Sequence, residues 1–193
     1  GRVANLDELH LDAAGVQRTK KGVRVNDYLQ SVSNPVVYAA GDAADAGGLA
    51  LTPVAGTEGE IVAENLLRGN RRKPDFAGLA SIVYTVPALA SVGLSQAQAR
   101  QRGLRLTVNA GDTSDWYSSR RIAAKPSGYK VLIDEDTQTV VGAHFIGPNL
   151  EELANVFALA IRAKIPISQL RDVLFAYPTA SSDIEYMLEA SVG

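Results

Sequence analysis

Two strand-like runs, Tyr129 to Asp134 and Thr139 to Ile146, flank the polar residues Glu135-Asp136-Thr137-Gln138. Such runs on either side of a short turn predict an antiparallel hairpin. Just beyond it, Asn149 with Glu152 predicts a helix start. Leu150, Leu153, Ala154, Phe157, Ala158 and Ile161 follow at i, i+3, i+4, i+7, i+8 and i+11, the spacing of one apolar helix face. A sheet with one apolar face and a helix with one apolar stripe hide both by packing together. The expected fold class is therefore α+β, an antiparallel sheet flanked by helices.

Other elements fit this plan. Ser81 to Tyr84 and Ala90 to Val92 predict strands on either side of Pro87, and Leu104, Leu106 and Val108 alternate as another. Ser95 with Gln98 forms a capping box for a short helix closed by Gly103. Further helices are expected over 168–174 and 181–190. Upstream, Val23 to Asn26 alternates, and Val36 to Ala40 predicts a buried strand between Asn34-Pro35 and Gly41. A helix follows, with Thr52 as cap, Pro53 in its first turn, Val54, Ile61, Val62, Asn65 and Leu66 near helical spacing, and Gly69 at its end. The polar run Asn70-Arg71-Arg72-Lys73-Pro74 reads as a solvated connector, and a domain boundary falls near residue 76, giving segments 1–76 and 77–193.

Composition excludes several functions. The 193 residues carry 19 Lys and Arg against 21 Asp and Glu, a net charge of -2 that argues against a nucleic-acid partner. Zero cysteines exclude disulfides, thiolate metal sites and a cysteine nucleophile within the chain, and no metal site is expected. No apolar run reaches the roughly 20 residues of a membrane span, and the opening Gly1-Arg2-Val3-Ala4-Asn5 lacks a signal-peptide pattern, so the expected location is cytoplasmic without membrane contact. Because the sequence opens without Met, it is expected to be a piece of something longer.

Two neighbouring segments carry candidate chemistry. Gly41-Asp42 after an apolar run would place a carboxylate at a strand's carboxyl end, where it can accept hydrogen bonds from sugar-like hydroxyls; a plain turn is the other reading. Leu51-Thr52-Pro53-Val54 opens a helix whose free N–H groups favour negative charge; a capped surface helix is the alternative.

In their order, Gly1 to Asn5, Val37 to Asp42 and Leu51 to Ala55 resemble the second flavin-binding stretch of pyridine nucleotide-disulfide oxidoreductases. Tyr84 to Pro87, Val92 to Ser95, and Val140 to Gly147 with the helix beyond resemble that family's dimerisation domain. The resemblance implies that 1–76 is the end of an FAD/NAD(P)-binding α/β region and 77–193 a dimerisation domain forming a homodimer. It implies FAD as cofactor, with Gly41 and Asp42 beside its ribityl and pyrophosphate region and Leu51, Thr52, Pro53 and Val54 beside its ring, NAD(P)H as cosubstrate, and a small-molecule or disulfide acceptor. The family's Gly-rich loops and Cys-x-x-x-x-Cys pair are absent from the sequence, so the resemblance implies that they precede Gly1 in a parent oxidoreductase and that this piece alone is inactive.

The sequence departs from the family at Phe175 to Asp183, where Tyr177 stands at the family's catalytic His and Ser182 near the Glu that orients it. Tyr177 is the candidate catalytic residue, as a donor or ligand, and simple packing before Pro178 is the alternative. His144 falls within a strand pattern and is expected to be a packing or surface residue. Trp116-Tyr117 with Arg120-Arg121 reads as a loop or as a stacking, anion-binding surface. Two other functions stay open: a dimerisation module without chemistry, and a diaphorase- or oxidase-like flavoenzyme that uses no disulfide.

Overall fold

The computed structural model describes residues 3–189; Gly1, Arg2 and Ala190, each part of an expectation above, lie outside them. The chain divides into two compact units, Gly1–Phe76 and Ala77–Gly193.

In the first unit, strands β1 (Val23–Arg24) and β2 (Ala44–Asp45) pair in parallel. Leu6, Val16 and Val23 form its small buried cluster, with Val37 and Ala39 packed against it. Helix α1 (Thr52–Arg68) buries Val54, Glu58, Ile61 and Asn65 along one stripe. Its end is tied down by Asn65, whose Nδ2 donates to the carbonyls of Tyr28 (3.0 Å) and Arg72 (2.8 Å). Asn65 Oδ1 accepts the backbone N–H groups of Arg71 (3.0 Å) and Arg72 (2.9 Å).

Two expectations here are corrected. Val36–Ala40 is not a strand: Val36 is 79% exposed and Tyr38 makes only an isolated bridge to Gln30. Asn34 Oδ1 accepts the Val36 N–H at 3.2 Å and the Asn34 carbonyl accepts that of Val37 at 3.1 Å, so turn chemistry overrides β-branched preference. Thr52 is not the cap of α1 either. Leu51 is the N-cap, with no side-chain cap bond, and Thr52 and Pro53 begin the helix itself.

The second unit is built on a five-stranded antiparallel sheet of β3 (Ala80–Val83), β4 (Ala88–Gly93), β5 (Leu106–Asp112), β6 (Gly128–Asp134) and β7 (Thr139–Gly147), in the spatial order β3-β4-β7-β6-β5. Between β4 and β5, helix α2 (Gln96–Gln101) starts at the expected Ser95/Gln98 capping box. The β6–β7 register slips by one residue, from Leu132↔Gly142 to Ile133↔Val140. That bulge resets the alternation, so Val140 is buried with Ala143 and Phe145 although each lies an odd number of residues from it. Gly142 belongs here for lack of space, since a Cβ would overlap the Leu94 carbonyl oxygen.

Helix α3 (Tyr117–Arg120) occupies a segment for which the sequence offered a loop, its backbone turned by N–H bonds from Ser119 and Arg120 to the Trp116 carbonyl. Helix α4 (Leu150–Arg162) presses Leu150, Leu153, Ala154, Phe157 and Ala160 onto the sheet, with the Phe145 and Phe157 rings 5.2 Å apart. Its start differs from expectation. Asn149 is left-handed (φ 53°), which turns its side chain away from the capping position, and it makes no cap bond; Glu152 instead accepts from Asn155 Nδ2 at 3.4 Å. Helix α5 (Ile167–Arg171) is shorter than the expected 168–174. A 3-10 turn (Ala180–Asp183) leads into α6 (Ile184–Leu188), together replacing the single expected helix.

Candidate functional site

The candidate site lies in the first unit, around a 3-10 turn over Gly41–Ala43. Gly41 has φ 60°, and a Cβ there would come within 2.8 Å of Ala55 Cβ, so only glycine lets this turn lie against α1. The Gly41 N–H donates to Glu58 Oε2 at 2.6 Å, across one helical turn from Val54. Glu58 is 2% exposed. Burial pushes its carboxyl pKa up, and the Gly41 hydrogen bond only partly opposes that.

Gly41, Asp42, Val54 and Glu58 all line one cleft of about 300 Å³, together with Lys20, Lys21 and the loop 44–50. Asp42 is exposed beside it. Leu51, Thr52 and Pro53, the other expected flavin-contacting residues, form the N-cap and first turn of α1 and do not line this cleft. The expected set is thus brought together only in part. Glu58 was missed, although a glutamate four residues after Val54 and three before Ile61 falls on the same helical face.

The cleft's size, at the low end for ligand pockets, suits part of a large ligand. Carboxylates beside an open glycine turn suit a polyol chain, whose hydroxyls need acceptors. The residues present therefore fit the sugar-like portion of a flavin dinucleotide.

In the second unit, Tyr177 is 72% exposed and stacks on Tyr117, ring centroids 5.8 Å apart at 29°. Ser182 is occupied elsewhere: its Oγ donates to the Thr179 carbonyl (2.7 Å), and its N–H donates to Thr179 Oγ1 at 3.2 Å. Among the described residues no hydrogen bond joins Ser182 to Tyr177, so the His–Glu relation of the resembling family has no counterpart there. Next to it, Ser118 Oγ donates to Asp183, whose carboxyl pKa burial pushes up.

His144 lies in β7 and is half-buried. Its Nε2 donates to the Leu94 carbonyl at 3.2 Å, which leaves Nδ1 to accept from Ser91 Oγ at 2.8 Å. Burial lowers its pKa, so the ring is neutral at pH 7. His10 lies in the first unit as a left-handed residue ending a 3-10 turn. Among the described residues, no group of three or more His, Asp and Glu is placed to hold a metal ion, and no helix is long and apolar enough to cross a membrane.

Residues 79–188 match the model of the pyridine nucleotide-disulphide oxidoreductase dimerisation domain. The chain belongs to that family. The similarity extends beyond the matched residues of this oxidoreductase domain. An uncharacterised 19.7 kDa protein in the mercuric resistance operon of Staphylococcus aureus is 49% identical, over 93% of this chain and 100% of its own. Mercuric reductase of the same species is 33% identical over 96% of this chain, which spans only 34% of that enzyme's length. The HOCl-induced flavoprotein disulfide reductase RclA from Escherichia coli superposes with a TM-score of 0.82 at 26% identity, covering 97% of this chain and 43% of that one.

Proposed function

We propose that this chain supplies the dimerisation domain and one wall of the flavin site of an FAD-dependent, NAD(P)H-linked oxidoreductase. The observation that carries the proposal is the Gly41 turn, fixed against Glu58 and presenting Asp42 on a cleft, in the same chain as a disulphide-reductase dimerisation domain. The flavin would supply hydride acceptance and onward electron transfer. This chain's residues would bind and orient: Asp42 accepts polyol hydroxyls, Glu58 holds the turn, and the first turn of α1 at Leu51, Thr52, Pro53 and Val54 favours negative charge nearby. Residues 77–193 would join two subunits in a homodimer. Tyr177 would act there as a hydrogen-bond donor or ligand. Without the dinucleotide loops, the chain alone would not oxidise NAD(P)H.

The test is a chimera in which this chain replaces the aligned third of Staphylococcus aureus mercuric reductase. The expected result is stoichiometric FAD after purification, strongly reduced by Asp42→Ala at unchanged circular dichroism. Full flavin retention in the variant would overturn the role of Asp42.

A second reading, a dimerisation module without redox chemistry, has the 19.7 kDa relative and the absence of cysteine in its favour. A folded, dimeric chimera that never retains flavin would decide for it.

A further inference from the structure

We propose that Tyr117 and Tyr177 form a site of oxidative cross-linking, at which a one-electron oxidant couples the two phenols into a dityrosine within one chain. The rings are stacked with centroids 5.8 Å apart and 29° between planes, although they come from segments distant in sequence. Tyr117 is 48% exposed and Tyr177 72%, so both phenols can be reached and can lose protons to water. A second group of rings is centred on the neighbouring residue. Trp116, the covalent neighbour of Tyr117, lies 5.6 Å from Tyr129 and 5.8 Å from Tyr186, centroid to centroid. The stacked pair thus lies in a chain with no cysteine and one methionine to compete for oxidant.

The chemistry balances with two one-electron oxidising equivalents. Each takes one electron from a phenol, which releases its proton to water and becomes a phenoxyl radical. The two radicals join through ring carbons ortho to oxygen, and the hydrogens on those carbons move to the oxygens as the rings regain aromaticity. Overall, two electrons and two protons leave and one carbon–carbon bond forms. Holding both radicals in one chain gives their coupling a high effective concentration.

The experiment oxidises the intact chain at low protein concentration with photoexcited tris(bipyridyl)ruthenium and persulfate, then reads dityrosine fluorescence, gel mobility and tryptic peptides by mass spectrometry. The expected result is a product of monomer mass whose main cross-link joins the peptides of Tyr117 and Tyr177. Tyr177→Phe and Tyr117→Phe each lose that cross-link, while Tyr84→Phe does not. Tyr84 is the control because it is 76% exposed and has no ring partner among the described residues. Mapping in the unmodified protein decides the matter even if a variant misfolds. Cross-links that are mainly between chains, or that join tyrosines according to exposure alone, would overturn the proposal.

Discussion

Glu58 places a carboxyl group in the middle of the buried stripe of α1, where its neighbours Val54 and Ile61 are apolar. Among the described residues the Gly41 N–H is its hydrogen-bond partner, and burial raises its pKa above the ordinary carboxylate range. A raised folded-state pKa means stability that is full while the group is protonated and is lost as pH rises through the folded value. Glu58→Gln keeps an acceptor for Gly41 and removes the charge. The variant should gain stability relative to the unmodified chain as pH rises from about 4 to about 8. Hydrogen exchange of the α1 amides measures this locally, and a stability difference that stays flat with pH would refute it. This residue also marks how far the sequence could be read. Gly41 and Asp42 were legible as a turn with a carboxylate, but the partner that fixes the turn lies 17 residues on, along the buried stripe of a helix where the sequence offers chemistry at the first turn alone.

At the level of elements, patterning was most legible where the apolar period was regular. The β6–β7 hairpin and α4 stand where alternation and helical spacing put them, because burial on one face leaves little freedom of register. The ends of elements were less legible, since one residue type serves several geometries. Asn149 suits both a side-chain cap and a left-handed backbone, and it adopts the second with φ 53°. Asn149→Thr separates the two. A threonine would preserve a cap, whereas a β-branched residue in the left-handed region costs about 1–2 kcal/mol. We expect that loss in denaturant midpoints, and an unchanged midpoint would restore the capping role. Ser95→Ala provides the contrast: its hydroxyl does accept the Gln98 N–H, and its loss should cost about 1 kcal/mol. The 36–40 run has a related cause: the Asn34 side chain takes the Val36 N–H and the Asn34 carbonyl takes that of Val37, donors that a strand would have needed.

For the molecule as a whole, the second unit has a continuous core of sheet and helix yet leaves large apolar side chains in solvent. Val86 is fully exposed, Leu174 is 98% exposed and Leu159 64%. Sequence periodicity identifies which residues face a chain's own core, and it is silent about residues that a second copy would cover. In a family described by its dimerisation domain, that surface is where the homodimer reading is most open to test. Sedimentation should find the chain dimeric, and Leu174→Glu should shift it towards monomer without changing its circular dichroism. A monomer at concentrations of about 100 μM, where even micromolar affinity would saturate, would count against the dimer.

The connector after α1 has a biochemical consequence. Arg71-Arg72-Lys73 reads as an ideal target for trypsin, being basic and at the end of a helix. A protease must draw its substrate out into an extended strand, and here Asn65 grips the N–H groups of Arg71 and Arg72 and the carbonyl of Arg72 from within the first unit. Brief trypsin digestion should therefore spare the Arg71–Arg72 and Arg72–Lys73 bonds, and Asn65→Ala should open both. What looks like a loose tether is, for a protease, a closed door.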